Sequence, residues 1–219
     1  MRKILKNCLA QTNGAHFYRG DLHIHSYAAS HDVRDTGMSP QAIVDTATRE
    51  NLRIIAVADH NEISNVQATV TAGETANVLV IPAVELSTPE GHLLCYFPTV
   101  DSLAQFHGRL DLADRGLSNS RCRTAKLACL DIAKALDGFC VFAHVDGGNG
   151  LETNDPGGSP HKTDIICHPA LLGIELSSVT SQVRYSPDDP EPVRTHIGKQ
   201  RIKKLGLGER QYLARIVSH

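Results

Sequence analysis

The chain has 219 residues, of which 41% are hydrophobic, and a formal net charge of −2. This length is sufficient for one domain with a full hydrophobic core, and the near-neutral charge gives no indication of a polyelectrolyte partner. No apolar run approaches the ~20 residues that span a bilayer, and residues 1–9 lack the apolar centre of a signal peptide, so we expect a cytoplasmic protein without a membrane partner.

Strands and helices alternate along the sequence. Short apolar runs predict seven strands, near residues 20–24, 53–58, 78–83, 92–97, 139–143, 172–176 and 214–217. Apolar residues at helical spacing and capping signals predict helices that begin at Ser39-Pro40 and cover 62–75 and 119–136. Seven strands that alternate with helices imply a parallel sheet, and the favoured form is a closed α/β barrel in which residues 1–219 are one domain.

Two segments are expected to be loops, and the cysteines are expected to be structural. Residues 146–164 are rich in Gly, Asn, Asp and Pro, and residues 180–195 are rich in proline. The sequence has cysteines at positions 8, 95, 122, 129, 140 and 167, and none belongs to a CxxC pair. We therefore predict buried, reduced thiols.

Several of the twelve histidines follow predicted strands together with a carboxylate. They are His23 and His25 at the end of the first strand, His60 after the second, Glu85 after the third, His92 at the start of the fourth and His144 after the fifth. The active site of a parallel barrel lies at the carboxyl ends of its strands. Two histidines that are two residues apart lie on the same side of a strand and can bind one metal ion. A carboxylate can bridge two metal ions through its two oxygens. These residues predict a divalent metal site.

Further polar residues are expected to support the ligands or to be structural. Residues expected to support them are Asp21, Asp59, Glu175 and His168. Asp21 and Glu175 are interpreted as hydrogen-bond acceptors for ligand imidazoles. For His168, a loop turn and a ligand role stay open, with the ligand role less favoured. The histidines predicted to be structural are His107, His161 and His196.

The order of these motifs resembles the PHP superfamily, named for polymerase and histidinol phosphatase domains. The matching segments are Asp21-Leu-His-Ile-His-Ser26, Ala58-Asp-His-Asn61, Ala83-Val-Glu-Leu-Ser87, Val141-Phe-Ala-His-Val145 and Gly173-Ile-Glu-Leu-Ser177. They extend over most of the chain, from about residue 20 to 177. The resemblance implies a distorted seven-stranded, TIM-like β/α barrel that holds two or three divalent metal ions, such as zinc, manganese or iron.

The resemblance also implies a role for each ligand. The implied ligand sets are His23, His25 and Glu85 for the first metal, Glu85, His92 and His144 for the second, and His31 and His60 for the third. His31 stands eight residues after His23, as in trinuclear members of the family. Related nucleotide phosphatases place an aspartate near this point, so the adjacent Asp32 is the alternative. The residues expected to take part in catalysis are His23, His25, Glu85 and His144.

One family motif is absent from the sequence. The last strand of PHP domains ends in Ser-Asp-x-His, which supplies ligands to the first and third metals, whereas this sequence stops at Val217-Ser218-His219. We expect a fragment truncated before this motif, with reduced activity; the alternative is that His219 replaces part of it. Similar PHP domains are often fused to an ATPase of the SMC or AAA type, which makes that domain and nucleic acid expected partners. The basic residues Lys199, Arg201, Lys203 and Lys204 are interpreted as a solvated helix face.

The implied function is hydrolysis of a phosphate ester by a metal-activated hydroxide. The substrate would be a phosphorylated small molecule, a nucleotide or a nucleic-acid end, and the sequence does not separate monoesters from diesters. Amidohydrolases also begin with His-x-His on the first strand, but they bridge their metals with a carboxylated lysine where this chain has Glu85. The non-enzymatic alternative is a metal-binding scaffold that regulates a fused ATPase.

Overall fold

The computed structural model describes residues 18–208 and 212–217. The strands are β1 (Arg19–Ile24), β2 (Leu52–Val57), β3 (Leu79–Val80), β4 (Ala83–Thr88), β5 (Gly91–Tyr96), β6 (Leu112–Ala113), β7 (Arg121–Cys122), β8 (Phe139–Phe142), β9 (Leu171–Leu176) and β10 (Ala214–Val217). The helices are α1 (Pro40–Arg49), α2 (Val66–Ala76), α3 (Val100–Gly108), α4 (Lys126–Ala135), α5 (Leu151–Asn154), α6 (Pro160–Ile166) and α7 (Pro192–Leu205).

Two sheets form the centre of the molecule. Strands β1, β2 and β3 make a parallel sheet, and the second sheet has the order β10-β9-β8-β5-β4. The sheets meet where β3 and β4 follow each other along the chain. The backbone N–H of Ile81 donates to Ile55 at 2.8 Å, and that of Glu85 donates to Asp59 at 3.2 Å. The strands therefore follow one another in the order β1, β2, β3/β4, β5, β8, β9 and β10.

The predicted closed barrel is not confirmed. Within residues 18–208 and 212–217, β1 and β10 do not pair, and a cleft of about 440 Å³ lies between them, with Asp21, His23, Glu175 and Ile216 among its lining residues. The predicted fully parallel sheet is also wrong, because β5 runs antiparallel to both β4 and β8. The physical reason is a tight turn at Pro89-Glu90, which reverses the chain without the crossover helix that a parallel strand requires.

The predicted elements are largely found, with shifted ends. Ser39 caps α1 through its hydroxyl, which accepts a hydrogen bond from Ala42 N at 3.4 Å. The helix predicted over 119–136 begins only at Lys126, because part of that segment belongs to β7. The loop predicted over 146–164 contains α5 and the start of α6, and α7 begins inside the loop predicted over 180–195. In both α6 and α7 a proline occupies the first turn. Proline is tolerated there because a backbone N–H at this position has no acceptor within the helix.

The apolar core contains the cysteines. Five of them are free and buried, as predicted, at positions 95, 122, 129, 140 and 167; Cys8 lies outside the described residues, as do residues 1–9 and His219. In the basic cluster of α7, three lysines are exposed, but Arg201 is buried and donates to the carbonyls of Ile166, His168 and Leu171. The interpretation of this cluster as a solvated helix face is therefore wrong for Arg201. No helix in the described part of the chain is both long and apolar enough to cross a membrane.

Candidate metal centre

Five histidines and one glutamate meet where β1, β2 and β8 end and the β4–β5 hairpin begins. They are His23, His25, His60, His92, His144 and Glu85. His23 lies in β1, and His25 directly follows this strand. Because they are two residues apart, both rings lie on the same side of the strand, with 5.0 Å between ring centroids. All five imidazoles are partly or largely buried. Residues that lie up to 144 − 23 = 121 positions apart in the sequence, from His23 to His144, therefore form one cluster.

Glu85 is the centre of this cluster and is fully buried. The ring nitrogens around its Oε2 atom are those of His23 at 3.0 Å, His25 at 2.9 Å and His60 at 3.2 Å. Around Oε1 they are those of His92 at 2.9 Å and His144 at 3.2 Å. Five imidazoles thus converge on the two oxygens of one carboxylate, which is the arrangement expected of a bridging ligand.

Asp32 extends the cluster at its edge. Its Oδ2 atom lies 2.9 Å from His25 Nδ1 and 3.7 Å from His60 Nε2. The neighbouring His31 stacks its ring on that of His60, with 4.9 Å between centroids. Among the described residues, the groups with donor atoms within 4.8 Å of one another are His23-His25-Glu85, His25-Asp32-His60 and His60-Glu85-His92. Asp32, the alternative to His31, is therefore the residue that the structure groups with His25 and His60.

Glu175 supports two of the histidines. Both of its carboxylate oxygens lie 3.0 Å from His23 Nδ1, and Oε2 also accepts the backbone N–H of His144 at 2.9 Å. A carboxylate that accepts the Nδ1–H fixes the tautomer of His23 and directs its Nε2 lone pair toward Glu85. Asp21 Oδ1 accepts the backbone N–H of His23 at 3.2 Å. This contact fixes the backbone of β1 at the first ligand.

Asp59 fixes the backbone that follows His25. Its two oxygens accept the backbone N–H and the hydroxyl of Ser26, both at 2.6 Å. Burial raises the pKa of Asp59 to about 6, although the hydrogen bonds from Ser26 act in the opposite direction. Asp59, which was expected to support the metal ligands, therefore connects the end of β2 to the end of β1.

Asn61 is a supporting residue to which the sequence reasoning gave no role. It is fully buried, with a φ of 54°, and asparagine tolerates this left-handed conformation better than most residues. Its Oδ1 accepts Ser87 N at 3.1 Å, its Nδ2 donates to Ser120 Oγ at 3.2 Å, and its carbonyl lies 3.0 Å from His107 Nε2. These contacts hold the turn that carries His60.

The remaining histidines lie away from the cluster or beneath it. His168 precedes β9, at the end opposite to Glu175, where its Nε2 lies 3.1 Å from Asp131 Oδ1 and its Nδ1 accepts Ala170 N at 3.1 Å. The structure thus gives His168 the loop-turn role, not the role of supporting a metal ligand. His161 and His196 are exposed, and His107 is buried under Asn61.

The positive charge available to the buried carboxylates of the cluster comes from imidazoles. Burial would raise the pKa of Glu85, but hydrogen bonds from His144, His23 and other imidazoles hold it well below its usual value. Burial lowers the pKa of His60 to about 4, because it disfavours the charged imidazolium, so this ring is neutral at pH 7. Within the described residues, no lysine or arginine forms an ion pair with Glu85 or Glu175.

The donor atoms fit a divalent cation. His23 Nε2 and His25 Nε2 lie only 3.1 Å apart, a distance at which two neutral ring nitrogens need either a shared proton or a shared cation. Burial opposes a charge on His23, but hydrogen bonds with Glu175 and Glu85 outweigh it and raise the pKa to about 10. A cation would supply this positive charge directly. Imidazole and carboxylate donors suit zinc, manganese and iron alike.

The fold is shared with several solved structures. No protein-family model and no curated protein sequence matches the chain. The lesion-specific endonuclease EndoQ of Pyrococcus furiosus matches with a TM-score of 0.58 and 18% identity, over 76% of this chain and 44% of that one. A two-domain protein of Bacteroides vulgatus that contains a predicted PHP-like metal-dependent phosphoesterase matches with a TM-score of 0.52 and 18% identity, over 72% of this chain and 43% of that one.

An amidohydrolase of Chromobacterium violaceum, solved with bound sulfate and no metal, matches with a TM-score of 0.51 and 15% identity, over 86% of this chain and 84% of that one. At such identities these likenesses establish only the α/β fold that the chain shares with these structures. The chain spans less than half of the length of the endonuclease and of the Bacteroides protein.

Proposed function

We propose that this chain is a PHP-type domain that hydrolyses a phosphate ester with the aid of two or three divalent cations. The observation that carries this proposal is the convergence of five imidazoles on the fully buried Glu85. The shared fold supports it, because one structural relative is a lesion-specific endonuclease and another contains a PHP-like phosphoesterase.

Each ligand group has its own place in the proposal. The proposed sets are His23, His25 and Glu85, then Glu85, His92 and His144, and finally His25, Asp32 and His60, with His31 beside the third set. Divalent cations held there would favour the ionisation of water and stabilise negative charge on phosphoryl oxygens.

The chain's own side chains keep this centre in position. Glu175 accepts from His23 Nδ1 and from the backbone N–H of His144, so that one carboxylate orients two residues that are distant in the sequence. Ser87 Oγ lies 3.2 Å from His60 Nδ1 and limits the rotation of that ring. Held in this way, the imidazoles need little rearrangement to bind a charged substrate and its cations.

Two rival functions are less well supported. A carboxylated lysine, which bridges the metals of amidohydrolases, would have to occupy the place of Glu85. The fully buried lysines are engaged elsewhere, since Lys126 donates to the Gly91 carbonyl at 3.1 Å and Lys162 pairs with Glu152 at 2.6 Å. A scaffold without activity would not need a complete set of ligands, yet every expected ligand before residue 177 is present.

The substrate class and the partners are part of the proposal. A phosphorylated small molecule and a nucleic acid both present the oxyanion that the centre would bind. A fused ATPase of the SMC or AAA type and a cytoplasmic location stay predictions from the sequence.

The test combines metal content with hydrolysis. Protein purified without chelator is analysed for bound metals and assayed with an aryl phosphomonoester and an aryl phosphodiester in the presence of manganese. We expect two or more ions per chain and turnover of at least one ester. His25→Ala should remove at least one ion, whereas the matched control His196→Ala, at an exposed residue bonded to Gln200, should remove none. Equal metal content in the wild type and His25→Ala would contradict the assignment, and metal without turnover would favour the scaffold.

A further inference from the structure

Segment 109–123, which includes the β6–β7 hairpin, carries four arginines that are defined here as the arginine patch: Arg109, Arg115, Arg121 and Arg123. All four are exposed. In the part of the chain that the structure describes, none of their guanidinium groups forms a hydrogen bond or an ion pair. Other arginines differ: Arg194, for example, pairs with both Glu152 and Asp189. The patch therefore presents unpaired donors to the solvent.

The patch is basic although the chain is not. Segment 109–123 contains the four arginines and two acidic residues, Asp111 and Asp114, which gives 4 − 2 = +2, whereas the whole chain has a net charge of −2. Asp114 is already engaged as an acceptor for Asn119 at 3.1 Å. The local charge is thus opposite in sign to that of the molecule and favours an anionic partner.

The chain fixes the patch to the metal centre. Ser120 is buried and accepts the hydrogen bond of Asn61, which directly follows His60. In β7 the side chain of Cys122 faces the core, so Arg121 and Arg123 on either side of it lie on the outer face. Consecutive Cα atoms are about 3.8 Å apart, so Arg121 lies next to the residue that contacts the turn of His60.

We propose that the arginine patch binds the phosphate backbone of a nucleic-acid strand whose scissile phosphate lies at the metal centre. This inference rests on the proposed function and names its substrate class. A small phosphomonoester has only one phosphate, which the metal centre would itself bind, and would leave the patch without a partner. Four guanidinium groups match a chain of phosphates, to which arginine can donate two parallel hydrogen bonds.

The experiment compares the double variant Arg121→Ala/Arg123→Ala with Arg53→Ala. Arg53 is a matched control, because it is exposed at the start of β2, the opposite end of that strand from His60, and its side chain forms no hydrogen bond or ion pair with the described residues. Binding of a fluorescein-labelled single-stranded DNA oligonucleotide is measured by anisotropy at several salt concentrations, with and without chelator. Hydrolysis of the same oligonucleotide and of an aryl phosphodiester is measured with manganese.

We expect the double variant to bind the oligonucleotide roughly tenfold more weakly and to show a log–log salt dependence flatter by about 1.4, or ~0.7 for each arginine. Its KM for the oligonucleotide should rise while hydrolysis of the aryl diester stays at the wild-type rate, and Arg53→Ala should match the wild type in every assay. Unchanged oligonucleotide binding, or an equal loss on both substrates, would overturn the inference. Failure of the wild type to hydrolyse both the aryl monoester and the aryl diester would count against the proposed function alone, because oligonucleotide binding is measured separately.

Discussion

Two glutamates in this molecule have several partners each, but the chemistry of those partners differs. Glu152 pairs with Lys162 Nζ at 2.6 Å and with Arg194 Nη1 at 3.0 Å, and it accepts the hydroxyl of Tyr185. Glu85 is surrounded only by imidazoles. Lysine and arginine are charged near neutral pH, whereas imidazole is charged only when it is protonated.

The difference distinguishes a structural charge network from a binding site. Arg194 also bonds both oxygens of Asp189 at 3.0 Å, so the network around Glu152 balances its charges internally and fixes the segment after His144 to α7. The centre around Glu85 has no lysine or arginine partner among the described residues and needs protons or metal ions to complete it. A buried carboxylate with only histidine partners is therefore the better indicator of a cation site.

The largest effect should follow from removing the carboxylate at the centre. Glu85→Gln retains the shape of the side chain but loses its charge, so at least one bound ion per chain should be lost. Hydrolysis should fall by at least ~100-fold, because loss of a mere supporting residue already costs 10–100-fold. Elemental analysis and the aryl-ester assay measure both quantities. Glu152→Gln is the control and should keep its metal; loss of metal in both variants would contradict the distinction between the two sites.

Breaking the Glu152 network should reduce stability and leave metal binding intact. Lys162→Met leaves the glutamate with Arg194 as its remaining cation, and removal of one partner of a buried ion pair costs about 3–5 kcal/mol. Urea unfolding followed by circular dichroism measures this change in the free energy of unfolding. The bound metal of the folded variant should equal that of the wild type, and a variant as stable as the wild type would show that the network is not structural.

A smaller effect is expected at Asn61. Asn61→Ala removes the side-chain bonds to Ser87 and Ser120 and should weaken metal binding by about 10–100-fold, as is usual for residues that support ligands. Titration of chelator-treated protein with manganese gives this affinity. Asn61→Gly permits the left-handed backbone and should show the same loss. Recovery of wild-type affinity in the glycine variant would mean that the backbone conformation alone matters.

The smallest effect concerns Lys126, whose ammonium group lies 4.9 Å from the ring centroid of Phe142. Burial lowers the pKa of Lys126 from 10.5 to about 8. Between these values the unfolded chain binds more protons than the native chain, so stability should rise with pH. Relative to Lys126→Met, the wild type should gain about 1.5 kcal/mol from pH 8 to 9.5. Urea titrations at the two pH values test this, and parallel pH profiles would refute it.

The sequence predicted those parts of the centre that depend on local patterns. The spacing of His23 and His25 follows from the alternation of side chains along a strand, and the cap of α1 follows from Ser39-Pro40. The grouping of Glu85 with the histidines followed from their positions at predicted strand ends, and the division into separate metal sites came from the resemblance to a known family. The antiparallel direction of β5 depends on one tight turn within an otherwise alternating pattern, and it was missed.

Contacts between distant parts of the chain could not be predicted in the same way. The bond between Asn61 and His107 joins residues 46 positions apart and leaves no periodic signal in the sequence. His31 and Asp32 are neighbours, and the conformation of the loop after β1 decides which of them brings a ligand atom close to those of His25 and His60. The arginine patch was missed because its charges are distributed over a short hairpin and are balanced, in the overall composition, by acidic residues elsewhere.

The β4–β5 hairpin also determines the order in which the centre can assemble. Its tight turn brings Glu85 and His92 together across only seven positions, whereas the contact between His23 and Glu175 closes 152 positions. In a flexible chain, closing the 152-residue loop costs about 2.7 kcal/mol more conformational entropy than closing the seven-residue one. The Glu85–His92 pair can therefore form as soon as the hairpin does, before the distant strands dock. A metal ion present during folding would first meet this half of its site.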